Sequence, residues 1–438
     1  MREHRLFSSA KLSFSKLRVP VFFVTCLFLL STLNICAASS TEWDILLGGS
    51  SDDLAVGIIQ TDDGGFVIVG TTHSFGAGSS DFWLTKLDTM GNMEWNRTYG
   101  GPHADTATAI IQTSDTGYAI AGTTNSFGAG DTNFWLVKVD SIGNLQWNQT
   151  YGETTAEAKS LTQTSDSGYA LVGLQENDTN SSVWLVKTDS MGNLQWNQTY
   201  EDNSHSKTVY SVVQLGDNGY VFGGSTNAYS EDIAGDGWLV KTDSEGVMQW
   251  NQTYDRNGGF DYVQALIQTS DGGFTFAGNT GGFLGKNVWI VKTDENGNII
   301  WNTIWETPET AYFNGLIQTH DGGYIVTGAT ASLNGFFNSY MFLINVDVSG
   351  NIRWNSTYEG LGDNKALFAV QTDDGDYVLA GTTLLTEEGA HSDIWFAKVD
   401  HLGELVPEFP SWTILPLAMT ATLIAVLLKS RSICRKGS

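Results

Sequence analysis

Six lysines recur at one position of a repeated Trp-Leu-Val-Lys-x-Asp string: Lys86, Lys138, Lys187, Lys241, Lys292 and Lys398, with Asn345 in that place in a further copy. A ring of ammonium groups binds anions, but each lysine stands two residues before a turn aspartate. Pairing with that aspartate or another carboxylate is the simpler chemistry. The Asp-rich turns invite a calcium reading. Asp294 to Asn298 comes nearest to a calcium loop, yet its glycine falls at the wrong step and no glutamate closes it. The histidines share no ligand spacing and none pairs with a cysteine, so no zinc site is visible. Nor is there a nucleophile elbow, a phosphate loop or a dinucleotide fingerprint. The sequence assigns no catalytic, cofactor-binding or metal-binding residue.

Two other patterns carry chemistry. Asn-x-Ser/Thr sequons begin at Asn96, Asn148, Asn197, Asn251 and Asn355 in one register, and at Asn177 and Asn180 in a loop, which makes these candidate N-glycosylation sites. Tryptophans come in pairs twelve apart, as at Trp83 and Trp95, Trp135 and Trp147, or Trp184 and Trp196. They could stack against sugars, but recurrence in almost every copy fits packing between repeats better.

These residues sit on four short segments that return along the chain. In the second copy they are Ala109 to Thr113, Tyr118 to Thr124, Phe134 to Asp140 and Leu145 to Tyr151, each β-branched or aromatic and too short for a stable helix. An Asp-x-Gly turn, such as Asp166 to Gly168, joins the first two. An Asp-x-x-Gly turn, such as Asp189 to Gly192, joins the last two. Four strands in a period of about 50 residues predict a propeller blade. Seven copies follow, with third segments centred on Trp83, Trp135, Trp184, Trp238, Trp289, Phe342 and Trp395. The seventh lacks its Trp-containing fourth strand, while residues 42 to 47 resemble one without a blade. The expected fold is therefore all-β: a seven-bladed propeller of four-stranded antiparallel blades over 39–406, closed by the N-terminal strand, plus a C-terminal transmembrane helix.

The ends read as address labels. Residues 1–38 form a signal peptide with a basic front (Arg2, Arg5, Lys11, Lys16, Arg18) and an apolar run to Leu33. Residues 407–411 are a linker, 412–428 an apolar transmembrane segment, and 429–438 a basic tail expected on the cytoplasmic side. The three cysteines, Cys26, Cys36 and Cys434, all lie in these ends, so disulfides do not hold the ring. With 22 basic against 48 acidic residues the chain carries −26, and the basic residues concentrate at its ends. An acidic surface of this kind repels phosphate backbones, which argues against nucleic acid.

Three resemblances follow from these motifs. Gln268 to Phe274 and Gln318 to Tyr324 are similar to the Gln-Thr-x-Asp-Gly-Gly-Tyr propeller repeats of secreted archaeal and bacterial surface proteins. Pro407, Glu408, Phe409 and Pro410 ahead of the apolar stretch resemble an archaeal PEF-type sorting signal, which implies cleavage and transfer to a lipid. The Asp189, Gly192, Trp196 turn resembles the tryptophan-docking repeat of quinone-dependent propellers, which implies a way for blades to dock and brings no quinone site. The expected role is a binding or adhesion scaffold at the cell surface, held in the membrane by its C-terminus, with an envelope protein or glycan as ligand. An extracytoplasmic enzyme (polysaccharide-acting or quinone-dependent) or a purely structural envelope protein are the alternatives. The links between blades and between second and third strands vary in length and share a face, where recognition usually lives. Phe75, Phe127, Tyr229, Phe283 and Phe336 are the candidate contacts there, although each could instead tuck against its own blade.

Overall fold

The computed structural model describes residues 44–176, 181–201, 207–226, 235–256, 259–281, 287–307, 310–331, 339–358, 364–385 and 390–406. The signal segment, the sorting motif and the apolar stretch 412–428 lie outside these residues, as do Asn177, Asn180, Tyr229, Phe283 and Phe336. Among the described residues no helix is long and apolar enough to cross a membrane.

Among the described residues twenty-eight strands, numbered in chain order, form seven four-stranded antiparallel sheets. After β1 (Asp44–Leu47), the blades are β2–β5 between Asp53 and Tyr99, β6–β9 between Asp105 and Tyr151, β10–β13 between Ala156 and Tyr200, and β14–β17 between Lys207 and Tyr254. Then come β18–β21 between Ala265 and Trp305, β22–β25 between Thr310 and Tyr358, and β26–β28 between Asn364 and Val399. The first strand of each blade touches the first strand of the next, and β26 (Asn364–Gln371) touches β2 (Asp53–Gln60), so the row closes on itself. Seven blades around a central channel result.

Closure is made by two pieces of chain on one edge. β1 pairs with β28 (His391–Val399) from Asp44 opposite Ala397 to Leu47 opposite Ile394. Just beyond, Leu405 bridges Val399 and the N–H of Val406 donates to the carbonyl of Lys398 (3.0 Å). The expected fourth strand is thus supplied by the start of the propeller and extended by its end. Leu47, 6 % exposed, packs with Ile58, Phe66, Trp83 and Phe396, joining the first and last blades in one apolar cluster.

The other boundaries repeat one scheme. The third-strand aromatics and the middle strands bury apolar clusters between consecutive blades, as with Phe134, Leu136, Tyr169 and Trp184. In five blades the last tyrosine reaches over the boundary: the hydroxyls of Tyr99, Tyr151, Tyr200, Tyr254 and Tyr358 donate to the carbonyls of Gly143, Gly192, Gly246, Gly297 and Gly403, the turn glycines of the next blade. Those glycines have positive φ and face a tryptophan ring, as Gly192 (φ 78°) faces Trp147, so no side chain fits there. In the fifth blade Trp305 replaces the tyrosine and has no hydroxyl. There the hydroxyl of Thr303 donates to the Gly350 carbonyl instead.

The first turn is less uniform. Its positive-φ position holds Gly64, Gly272, Gly322 and Gly375 in four blades but Thr116 (65°), Ser167 (65°) and Asn218 (66°) in the other three. A β-branched threonine is the costliest of these. Thr116→Gly is expected to stabilise the protein by about 0.5–1 kcal/mol, and Leu47→Ala to destabilise it by about 3 kcal/mol through the cavity at the closure. Denaturant unfolding checks both; an unchanged midpoint for Leu47→Ala removes the closing strand's role.

Candidate functional site

The lysine column is spent on structure. Each Nζ is drawn across its blade to the aspartate of the first turn rather than to the nearer aspartate of the second: Lys86 to Asp63 (3.0 Å), Lys138 to Asp115 (3.0 Å), Lys187 to Asp166 (2.8 Å), Lys241 to Asp217 (3.3 Å), Lys292 to Asp271 (2.8 Å) and Lys398 to Asp374 (2.8 Å). Lys187 also donates to the Thr188 carbonyl (2.7 Å) and to Gln195 (2.9 Å), so its buried ammonium is saturated. Where Asn345 replaces the lysine, Arg353 on the neighbouring strand takes over and binds Asp321 (2.5 Å).

The same turns explain the Gln-Thr-x-Asp-x-Gly signature. In the third blade the Thr164 hydroxyl and the Gly168 N–H both donate to Asp166. The glutamine reaches back to the preceding blade, where Gln163 accepts from the Ser114 N–H (2.9 Å) and Gln214 from the Ser165 N–H (2.8 Å). Burial raises the Asp166 carboxyl, but hydrogen bonds from Lys187, Thr164 and Gly168 prevail and hold it at about 2. The second-turn aspartates cap their own loops: Asp294 accepts from the N–H groups of Asn296 and Asn298 and from the Asn298 side chain. Every one of these acids already has its turn-forming donors.

The sequon asparagines at Asn96, Asn148, Asn197, Asn251 and Asn355 are exposed on the outermost strands. Two of them accept from a tryptophan through Oδ1, Asn148 from Trp135 and Asn197 from Trp184 (3.1 Å each), which leaves Nδ2 outward. Phe75 and Phe127 divide between the two expectations. Each leans on the tryptophan of its own blade (Trp83, 5.4 Å; Trp135, 5.3 Å between ring centroids), yet stays 43 % and 40 % exposed.

The channel holds residues that spacing alone did not single out. It is lined by the first strands, β2, β6 (Asp105–Gln112), β10 (Ala156–Gln163), β14 (Lys207–Gln214), β18 (Ala265–Gln268), β22 (Thr310–Gln318) and β26, around a cavity of about 320 Å³. In six of them the register slips by one residue: five skip Val56, Thr108, Lys159, Tyr210 and Asn314 at one equivalent position, and β26 skips Lys365 two places earlier than that position. Gln264 occupies the place equivalent to Val56 in the fifth blade. A bulge frees its extra residue from the ladder and re-aims its side chain, and those five residues and Gln264 line the cavity.

Across these six blades the residue at this position never repeats. Oε1 of Gln264 and Oδ1 of Asn314 are buried without a partner. Lys159 pairs with Glu157 (2.8 Å) on its own strand. Among the described residues no three His, Cys, Asp or Glu side chains meet at metal-binding geometry. Amides, hydroxyls and one amine set among leucine and isoleucine make a hydrogen-bonding surface. A bulge is visible in a sequence only as a residue that breaks alternation, and in a strand with both faces partly buried there is little alternation to break.

No family model matches the chain, and no curated protein does. Among solved structures it is similar to a protein of unknown function from Dyadobacter fermentans (11 % identity, 82 % of this chain and 98 % of that one, TM-score 0.46). It is also similar to one of unknown function from Bacteroides caccae (10 %, 72 % and 97 %, 0.41) and to the Pan2 WD40 domain of Neurospora crassa (11 %, 83 % and 98 %, 0.49). At this distance the likeness carries no functional argument, and the fold rests on the strand pairing itself.

The lysine–aspartate pairs set an acid limit. With Asp166 held near 2, below its ordinary 3.8, the pair's contribution is full above pH about 4 and is lost as the pH falls toward 2. Lys187→Met is expected to lower stability at pH 7, with its gap from the parent protein narrowing over that window. Urea titrations at pH 7, 4 and 2.5 check this, and a pH-independent gap would count against it.

Proposed function

We propose that this protein is a binding scaffold whose ligand enters the central channel from the face bearing the blade-to-blade links. The observation that carries the reading is the bulge ring. A strongly repeated architecture has a different residue in each of six blades, Val56, Thr108, Lys159, Tyr210, Gln264 and Asn314, at the place where the first strands converge. Packing or solubility gives no reason for six different residues at equivalent, partly buried places, whereas an asymmetric ligand does. The set supplies donors from Lys159 and Tyr210 and acceptors from Gln264, Asn314 and Thr108, whose hydroxyl donates to the Ala121 carbonyl (3.2 Å), beside apolar walls. It suits a polar, hydroxyl-rich or amide-bearing group, as in an envelope glycan or a loop of an envelope protein.

Export supplies the setting. A basic and apolar leader, cysteines confined to the two ends, outward sequons on the rim and the Pro407 to Pro410 motif before an apolar stretch all support display at the cell surface from a C-terminal anchor, with glycans on the outermost strands. The outward Nδ2 atoms of Asn148 and Asn197 are compatible with that decoration.

A glycan array and a pull-down from the cell envelope, both with the full-length protein, test the reading. The triple variant Lys159→Ala, Tyr210→Ala and Asn314→Ala is expected to weaken capture at least about tenfold, since each lost polar contact is worth about 1 kcal/mol, while circular dichroism stays unchanged. Undiminished capture by the folded variant overturns the channel as the site.

A further inference from the structure

Each blade boundary sets the residue two places before a third-strand aromatic beside the residue that opens the next blade. Three boundaries pair acids: Asp81 with Asp105, Asp236 with Asp261, and Asp393 with Asp53. Two carry an amide and an alanine, Asn133 with Ala156 and Asn287 with Ala311. The remaining two hold serine with lysine and tyrosine with asparagine. In no case does an acid on one side meet a neutral residue on the other. Both are present or both are absent, as expected when one shared ligand needs both.

At the first boundary Asp81 and Asp105 are 1 % and 0 % exposed. Oδ2 of Asp81 accepts from the N–H groups of Ala77 (2.5 Å) and Gly78 (3.4 Å). Oδ2 of Asp105 accepts from the Gly101 N–H and the Ser126 hydroxyl (2.8 Å each). Oδ1 of both has no donor, and the same holds for Oδ1 of Asp53, Asp261 and Asp393. The Asp81 Oδ1 and the Asp105 Oδ2 both fall within 3.0 Å of the point where a Cβ on Gly100 would stand, so the glycine makes the room in which the two carboxylates meet. Among the described residues, the ion pairs of these six acids reduce to His391 with Asp393 at 3.7 Å.

Two ionised carboxylates buried side by side with oxygens that accept nothing, as Asp81 and Asp105 are, are strongly disfavoured unless a cation joins them, while at the fourth boundary Asp261 is fully buried and Asp236 half-buried. The amide–alanine boundary shows how the same backbone is satisfied without one. The Ala156 N–H donates to the Thr132 carbonyl as the Asp105 N–H does to that of Ser80. There Asn133 turns its Nδ2 to the carbonyls of Phe127 and Gly130 (3.0 and 3.2 Å). An aspartate in that position has nothing to donate.

We propose that the three acid-paired boundaries are calcium sites, with the two aspartates of each as anionic ligands and backbone carbonyls and water completing the oxygen shell. Two carboxylates neutralise one dication, and calcium accepts the irregular, partly carbonyl set that a loop boundary offers. The ions would join consecutive blades on the link face, and the pair of Asp393 and Asp53 lies across the closure itself.

Chelated full-length protein titrated with calcium chloride by calorimetry, with thermal melts in EDTA and in calcium, tests this. Binding and a rise of roughly 5 °C in Tm at about 10 mM calcium are expected, the range in which extracellular sites saturate. Asp81→Asn with Asp105→Ala, which rebuilds the first boundary from the residues of the second, is expected to bind one ion fewer per chain with a smaller rise in Tm. Asp81→Asn alone gives the same reading if the double variant folds poorly, and exposed Asp62→Asn should change nothing. No binding heat and no shift at 10 mM, or full stoichiometry in the folded variants, overturns the proposal. So does stabilisation in EDTA on acidification toward pH 5 without a calcium response, since a shared proton would then satisfy the pairs.

Discussion

The pairing of β1 with β28 is the interaction on which the rest depends. An isolated meander blade has two apolar faces and cannot bury both, so each blade is stable only between neighbours. In an open row the first and last blades would each leave one face wet. Joining Asp44–Leu47 to the edge of the seventh sheet turns that row into a circle. Closure then places the seven first strands around an axis, gathers the varied links on one side and the short turns on the other, and brings Leu47 into a cluster with both end blades. The channel and the blade boundaries exist in register only because the circle closes.

Within that frame, two recurring contacts are preserved even where their residue is not. A cation reaches the first-turn aspartate in every blade, from the third strand in six and from Arg353 on the fourth strand where Asn345 interrupts the series. A hydroxyl crosses to the next turn glycine from Tyr151 and its equivalents, and from Thr303 where Trp305 has displaced the tyrosine. The geometry asks for a positive charge at one point and a donor at another, and the charge can come from the adjacent strand (Arg353) and the donor from two residues back on the same strand (Thr303). Residue identity therefore drifts at these places while the interaction is kept, except at the closure, where Leu47 ends the seventh blade and packs without a hydroxyl. Identity varies without such replacement at the bulges and at the boundary pairs, where no common blade-to-blade contact fixes it.

The parts legible in the sequence were those governed by local stereochemistry. Asp-x-Gly turns and β-branched segments announce hairpins because Asn, Asp and Gly determine backbone conformation over three or four residues, and an unmatched Trp43 to Leu47 segment announced the closure. The tryptophan pairs do pack between blades. Partners set by tertiary register were less accessible. Lys187 stands two residues from Asp189 in the chain but lies against Asp166, because the second and third strands run antiparallel and bring the first turn beside it. The bulge residues and the boundary aspartates carried no signal along the chain, since what distinguishes them is a slipped register and a neighbour roughly twenty-five residues away in the next repeat. Phe75, read as a candidate loop contact, stays partly exposed while its own Trp83 offers a ring to lean on.

The two ends of the propeller share β28, Leu47 at Ile394 and Leu405 at Val399, with four residues of that strand between them. Tension arriving through residue 406 is therefore borne first by the bonds to Lys398 and Val399, and next by the strand that seals the circle. Under pulling at that residue, this seam is where rupture would begin. The mechanical strength of the whole ring is thus concentrated in one short seam, so its resistance to load follows the grip of a few residues rather than the bulk of its buried core.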